Sequence, residues 1–387
     1  MKNRLRAIAG AIVLLAMPLA ARSAQKQLPR SHDALPRMYA ITEIATPPGD
    51  TKVQPKAINN RGEVVGYVDL VRPDPKNPTG CVTRVFLWRS GTMTAPFAPW
   101  KSSGDDVIAI NNKGDILARL LSARASVSDR CVLRRGGRVY DLVTPYRSRW
   151  PLSLLVEASA LDDTGRVVGH AGTPDGEYRA CLWRSLGKKP LILREGVNAF
   201  GIDGRGRIGL YQSKPVDTES STCNVFLYDH GRLSRIGPGS EFPRVVALAM
   251  NRSGDVLMKA STGDWYQALF ERAFLWSNGV LTALPSLAER MGGDEGAEVA
   301  SMNGALVAVG TAYRLVGPPP HGSIVQQFYA FRFDCRTGRY TDLNSLVPAS
   351  SGWTLEQATG INDRGQIIGV GQHRGKRGAF LLTPRGR

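Results

Sequence analysis

Three acidic pairs, Asp105/Asp106, Asp162/Asp163 and Asp294/Glu295, have the composition that glycoside cleavage needs. That chemistry takes two carboxyls roughly 5–10 Å apart. Adjacent residues of a strand point to opposite faces, and Asp162/Asp163 fall within a turn motif, so the pairs read as structural. The histidines His32, His170, His230, His321 and His373 are scattered singly without ligand spacing and read as loop or surface positions. No Gly-x-Ser-x-Gly elbow, His-Glu-x-x-His helix or phosphate loop ending in Gly-Lys-Ser/Thr occurs. The sequence therefore assigns no catalytic residue, no metal ligand and no cofactor. A mixture of cations and aromatics remains, capable of gripping a sugar or an anionic polymer. Its candidate ligand-binding members are Arg72, Trp100, Arg149, Trp150, Trp265, Tyr266 and His321, with Lys76, Lys101 and Arg147 nearby.

These candidates are placed by a repeat. One half-unit reads Ala57-Ile-Asn-Asn-Arg-Gly62-Glu-Val-Val-Gly66, and versions of it begin again at Ala109, Ala160, Gly201, Ala249 and Gly360, with a degenerate copy near Ala300. With glycines 62, 114, 165, 206, 254, 304 and 365 as markers, the mean spacing is (365 − 62)/6, or 50.5 residues. In the sixth copy Ser301 takes the place where Asn or Asp is expected, which predicts a hairpin of different length. The second half-unit is apolar, as in Val85-Phe-Leu-Trp88, Ala273-Phe-Leu-Trp276 and Ala379-Phe-Leu-Leu382, and is usually followed by a glycine turn and a short strand such as Tyr140-Asp-Leu142. Asn-x-x-Gly and Asp-x-x-Gly place an Asx acceptor at a turn whose glycine takes the left-handed conformation; calcium-loop spacing is absent.

Four short strands per unit of about 50 residues predict an all-β, seven-bladed β-propeller. The seventh copy lacks a fourth strand. Tyr39-Ala-Ile-Thr-Glu-Ile44 supplies it, so the N-terminal strand is expected to complete the C-terminal blade and hide the sheet edges. The aromatics Trp88, Trp183, Tyr228 and Trp276 then pack between sheets. The connections 71–83 and 316–327 are long and rich in Pro and Gly, and they share one face with the links between blades, the face that would gather the cation and aromatic candidates.

The unit A-x-x-I-N-x-x-G-x-V-V-G, followed by A-F-L-W-x-x-G and a Tyr/Thr-Asp-Leu strand, resembles the HAF-type extracellular repeat. The resemblance spans essentially the whole chain after the expected signal, residues 24–387, of which the propeller is expected to take 38–387. The namesake His-Ala-Phe is replaced here by Arg84-Val85-Phe86, Arg272-Ala273-Phe274 and Gly378-Ala379-Phe380. It implies an exported repeat protein and transfers no catalytic residues.

Residues 1–23 read as a secretory signal: Lys2, Arg4 and Arg6, an apolar stretch over 7–20, then Ala21 and Ser23 before the cut. Residues 24–37 read as a linker. Removing 1–23 takes away four positive charges, lowering the formal net charge from +17 to 17 − 4 = +13. No later segment is apolar for long enough to span a bilayer, so a periplasmic or extracellular location is expected. Cys131 and Cys181 sit in apolar motifs as buried thiols, while five cysteines in all leave at least one unpaired within the chain. The leading functional reading is a non-catalytic interaction module that binds a protein or an anionic glycan through the loop-bearing face. No specific nucleic-acid motif occurs. The alternatives are a glycan hydrolase or lyase with its site at the channel mouth, and a structural scaffold for envelope assembly.

Overall fold

The structure, a computed structural model, describes residues 38–47, 50–70, 82–97, 106–120, 130–143, 156–173, 177–195, 197–215, 221–262, 271–285, 295–316 and 325–385. Strand β1 (Tyr39–Ile44) precedes the first repeat, which is β2 (Asp50–Ile58), β3 (Val64–Leu70), β4 (Val82–Arg89) and β5 (Thr92–Thr94). The second repeat is β6 (Asp106–Ile110), β7 (Ile116–Leu120), β8 (Arg130–Arg135) and β9 (Arg138–Asp141); the third is β10 (Val156–Leu161), β11 (Val167–Gly172), β12 (Tyr178–Trp183) and β13 (Leu191–Glu195). The fourth is β14 (Asn198–Ile202), β15 (Ile208–Pro215), β16 (Ser221–Asp229) and β17 (Arg232–Arg235). The fifth is β18 (Arg244–Met250), β19 (Val256–Ser261), β20 (Glu271–Ser277) and β21 (Val280–Leu284). The sixth is β22 (Glu295–Met302), β23 (Val307–Val316), β24 (Val325–Asp334) and β25 (Arg339–Asp342), and the last is β26 (Trp353–Ile361), β27 (Ile367–His373) and β28 (Lys376–Pro384).

Strand β1 lies antiparallel on β28, in register from Tyr39↔Pro384 to Ile44↔Ala379. The two ends of the described chain thus share one sheet, as the sequence predicts. The number of separate sheets does not follow the prediction. Among the described residues five sheets are four-stranded, not seven, and the remaining strands form a single eight-stranded sheet from β14 to β21. Strand β17 pairs with Phe226 to Asp229 of β16, and Ile236 N–H donates to Val225 O at 3.1 Å. Further along β16 the chain entering the fifth repeat pairs with it: Cys223 N–H donates to Pro243 O at 2.9 Å, and Cys223 pairs in parallel with Arg244.

Alternation buries one residue in two on each sheet face, and apolar cores form between successive repeats. Ile44, Val53, Val64, Phe86, Trp88, Ile368 and Leu381 make the core that joins the last repeat to the first. Trp183 is buried between the second and third repeats and donates Nε1–H to Val143 O at 2.9 Å.

Each of the seven inner strands (β2, β6, β10, β14, β18, β22 and β26) carries a bulge at the same point, at Pro55/Ala57, Val107/Ala109, Ala158/Ala160, Ala199/Gly201, Ala247/Ala249, Val299/Ser301 and Ala358/Gly360. A bulge bends its strand and re-aims a side chain. It also explains the glycine that ends Val-Val-Gly. A Cβ on Gly66 would stand 2.0 Å from Gln54 O and 2.7 Å from the Phe86 ring, and one on Gly369 would stand 1.9 Å from Gln357 O.

The sixth copy departs from its sequence assignment. Its turn starts at Asn303, not Ser301, and Leu306, with φ 60°, holds the left-handed position that glycine holds elsewhere. Leu306 N–H donates to Asn303 O and Asn303 N–H to Val307 O, the same two bonds made at Asn59, Gly62 and Glu63. The hairpin length is therefore unchanged.

Candidate functional site

The inner strands surround a cavity of about 330 Å³ that receives residues from all seven repeats. It is lined by alanines 109, 160, 249 and 300, Gly201, Ser159 and Ser301 among others, while Ile58, Ile108, Leu161, Phe200 and Met250 pack into the apolar cores between repeats and the Met302 sulfur lies 3.9 Å from Cys335 Sγ. Its polar end is made by the turns that follow the inner strands, with Asn60, Arg252 and Asp363 at the rim.

Two consecutive turn positions build that rim. At the first, the Asx Oδ1 accepts the main-chain N–H groups two and four residues on, as Asn59 does from Arg61 (3.0 Å) and Glu63 (3.1 Å). All seven copies repeat this arrangement. The Asn side chains also reach the next repeat. Nδ2 of Asn251 donates to Asn303 O (3.0 Å), Asn303 to Asn362 O (3.1 Å), Asn362 to Asn59 O (2.8 Å), Asn59 to Asn111 O (3.0 Å) and Asn111 to Asp162 O (2.9 Å). Asp162 and Asp203 have no donor to continue the series. There a different side chain takes over: Arg166 and Arg207, four residues on, bind the Asp162 and Asp203 carboxylates at 2.6 Å, and Arg207 Nη2 donates to Ser253 O at 2.8 Å. Where the first residue is Asn, its fourth neighbour is instead an acceptor in four of five cases (Glu63, Asp115, Asp255, Gln366), taking the Asn Nδ2–H.

The second position forms the belt at the mouth. Asp363 N–H donates to Asn60 Oδ1 (2.9 Å) and Asn60 Nδ2 to Asp363 Oδ2 (2.7 Å). Asn60 N–H donates to Asn112 Oδ1 (2.8 Å), and Asn112 gives both its N–H (2.8 Å) and its Nδ2 (3.0 Å) to Asp163. Gly304 N–H binds Asp363 Oδ1 at 2.8 Å. The fourth and sixth repeats have Gly204 and Gly304 here. Between them Arg252 extends its guanidinium to the Asp163 carboxylate, two repeats away. Burial alone would raise the Asp163 pKa, but the Asn112 N–H bond and the Arg252 guanidinium outweigh it and hold the carboxyl below its ordinary value. Asp163 is thus a fixed anion rather than a proton donor near neutrality.

The seven candidates Arg72, Trp100, Arg149, Trp150, Trp265, Tyr266 and His321, together with Lys76, Lys101, Arg147, His32 and Cys81, lie outside the described residues, as do the signal and linker assignments on 1–37. His170 is not the loop or surface residue expected. It stands in β11, its side chain 14 % exposed, with Nε2 3.4 Å from Glu157 and its ring edge-on to Tyr178; burial lowers its pKa, Glu157 partly opposing. His230 sits in an exposed turn beside Asp229. His373 stacks on Trp353 and meets Glu43 of β1 at 3.0 Å. Cys131, Cys181, Cys223 and Cys335 are buried thiols, and burial pushes Cys181 up to about 12. Among the described residues no group of three or more His, Cys, Asp or Glu comes together as a metal site, and the Asx oxygens of the turns are occupied by N–H donors.

Among solved structures, the β-propeller domain of the Trilobed protease from Pyrococcus furiosus aligns with 89% of this chain and 96% of its own, at TM-score 0.57 and 7% identity. The fold is a β-propeller. An acylaminoacyl peptidase from Pyrococcus horikoshii matches the propeller over 90% of this chain at TM-score 0.51 and 8% identity. The chain covers 52% of that peptidase, about half its length. An oligogalacturonate lyase from Vibrio parahaemolyticus matches over 89% of this chain and 97% of its own, at TM-score 0.51 and 8% identity. At such identities the likeness is one of fold alone. No protein-family model matches the chain, nor does any curated protein. No helix among the described residues is long and apolar enough to cross a membrane.

Proposed function

We propose that this propeller is a non-catalytic binding module for an anionic glycan. The supporting observation is the balance of charge on the face that carries the belt. Most acids of its inner turns are engaged by arginine: Glu63 by Arg61 and Arg89, Asp115 by Arg135, Asp162 by Arg166, Asp203 by Arg207, Asp163 by Arg252, while Asp255 is held by Asn251 and Ser277 and Asp363 by Asn60 and Gly304. The exposed cations Lys113, Arg205 and Arg364, in the same turns, have no acidic partner among the described residues. A field of unneutralised cations concentrates polyanions. The loop-face set of Arg72, Trp100, Arg149, Trp150, Trp265, Tyr266 and His321 remains a proposed second contact surface.

The proposal extends to the chain's wider assignment. We read the eight-stranded sheet as two repeats joined edge to edge, giving seven units in all, and the chain as an exported HAF-type repeat protein.

The test is retention on an acidic polysaccharide, with polygalacturonate as probe, across a salt series. Binding at low ionic strength with a steep loss in salt is expected, and a triple variant Lys113→Glu, Arg205→Glu, Arg364→Glu should bind at least tenfold more weakly. Absence of retention, or indifference to the triple variant, overturns the reading. Release of cleaved oligosaccharide from the probe would assign the chain to the hydrolase or lyase class instead.

A further inference from the structure

The outer strands of the repeats (β1, β5, β9, β13, β17, β21 and β25) each leave one edge unpaired among the described residues. Such an edge recruits other chains unless it is short, charged or covered. Six of the seven have one of those guards. Strand β5 is three residues long. Strand β9 exposes Arg138 and Asp141 around Val139, β17 exposes Arg232 and Arg235, β25 exposes Arg339, and β1 exposes Thr42 and Glu43. In β21 only Ala283 is exposed.

Strand β13 has no such guard. It opens on three consecutive aliphatics, Leu191, Ile192 and Leu193, of which Leu191 is 43% and Ile192 39% exposed. Successive side chains of a strand point to opposite faces. Leu191, opposite Leu182, and Ile192, opposite Cys181, therefore leave an uncovered apolar group on each face of the edge. The setting is basic: residues 184–195 hold Arg184, Lys188, Lys189 and Arg194 against Glu195, a net of 4 − 1 = +3. Lys188 and Arg194, on either side of the aliphatic triplet, are exposed and have no acidic partner among the described residues.

We propose that β13 is a docking edge for an extended segment of a partner protein, aliphatic at its centre and acidic at its flanks, which joins the third repeat as a fifth strand. The segment's main chain pairs with the free edge, its aliphatic side chains cover Leu191 and Ile192, and its acids meet Lys188 and Arg194. The same cations reject a basic segment. None of these residues belongs to the turns that hold Lys113, Arg205 and Arg364, so the edge is separate from the glycan surface proposed above.

The experiment is fluorescence anisotropy of the full chain with labelled acetyl-Glu-Glu-Val-Ile-Val-Glu-Glu-amide as probe, with amide hydrogen exchange read in parallel. Saturable binding and new protection over residues 191–194 are expected. Two further peptides, N-methylated on alternate residues in one register or the other, keep the probe's charge and composition. Only one edge of the peptide faces β13, so one of them should bind tenfold or more weakly and the other like the parent. The double variant Leu191→Thr, Ile192→Thr, checked for native circular dichroism, should bind the probe at least tenfold more weakly, as should Lys188→Glu with Arg194→Glu. The proposal is overturned if the probe does not saturate, if the two methylated peptides bind alike, or if the threonine variant binds unchanged. Should the threonine variant not fold, the methylated pair decides alone. A dimer of the chain that forms with concentration and excludes the probe would assign the edge to a second copy and overturn the proposal equally. Polysaccharide retention is measured separately, so either binding reading can fail while the other stands.

Discussion

The side-chain amide of Asn362 donates to the main-chain carbonyl of Asn59 at 2.8 Å, fastening the last repeat to the first. Asn362→Asp removes the donor and sets a carboxylate against Gln366 Oε1, which now receives the same amide at 2.9 Å. A loss of about 1–3 kcal/mol is expected, measured by urea denaturation. The third and fourth repeats combine Asp with Arg four residues on, at 2.6 Å. The double variant Asn362→Asp, Gln366→Arg should therefore recover part of that loss, and a double variant no more stable than the single would show that the two pairings are not interchangeable.

Closure by β1 also rests on packing. Ile44 is 1% exposed and belongs to the core shared by the last and first repeats. Ile44→Ala should cost about 2–5 kcal/mol, whereas Thr42→Ala, at an exposed position of the same strand, should lie within about 0.5 kcal/mol of the parent. Equal effects would mean that β1 contributes little beyond its backbone bonds.

His170 gives the protein a predictable response to acid. Its folded pKa lies below the ordinary 6.5 because burial disfavours the charged ring, with Glu157 opposing. The native state then binds fewer protons than the unfolded chain just below pH 6.5, so the stability linked to His170 is full above that value and is lost as pH falls through the depressed folded pKa. Urea midpoints between pH 5 and 7.5 should fall on the acid side in the parent and flatten in His170→Gln. Superimposable pH curves would remove His170 from the account.

The buried thiols should be silent in the native state. Cys181 is wholly inaccessible and its pKa is raised to about 12, and Cys335 is raised further by burial and the neighbouring Asp334. Since the thiolate is the reactive species, alkylation of Cys181 and Cys335 at pH 8 should begin only with unfolding. Mass spectrometry of peptides labelled with and without urea tests this, and native-state labelling of either residue would contradict it.

Much of the architecture was written in the repeat. Glycines 62, 114, 165, 206, 254 and 365 all have positive φ, so a period read from them finds the turns correctly. Leu306 holds the same conformation without being glycine, and a branched side chain there carries no turn signal, so the sequence pattern points to Ser301 and Gly304 instead. The joining of β16 to β18 is a single parallel pairing of Cys223 with Arg244, a contact between repeats that no local residue pattern encodes. The bulges were present as the glycine of Val-Val-Gly, but their effect on the channel needs the neighbouring strand. The mouth residues Asn60, Asn112, Asp163 and Asp363 stand inside the Asx-x-x-Gly motif, whose local meaning is turn chemistry alone. The signal in the sequence is the correlated exchange four residues on, acceptor after Asn and arginine after Asp, by which these side chains serve the next repeat as well as their own.

The pairing of Tyr39 with Pro384 links positions 384 − 39 = 345 residues apart. Contacts of such long range form slowly, because the intervening chain must be ordered first. Until β28 exists, β1 is a nascent edge with Tyr39 and Ile44 uncovered, exposed to intermolecular pairing throughout synthesis. A circular permutant that joins the present ends through a short linker and opens at an outer turn such as Gly136 would turn this latch into a local hairpin. It should refold faster and aggregate less.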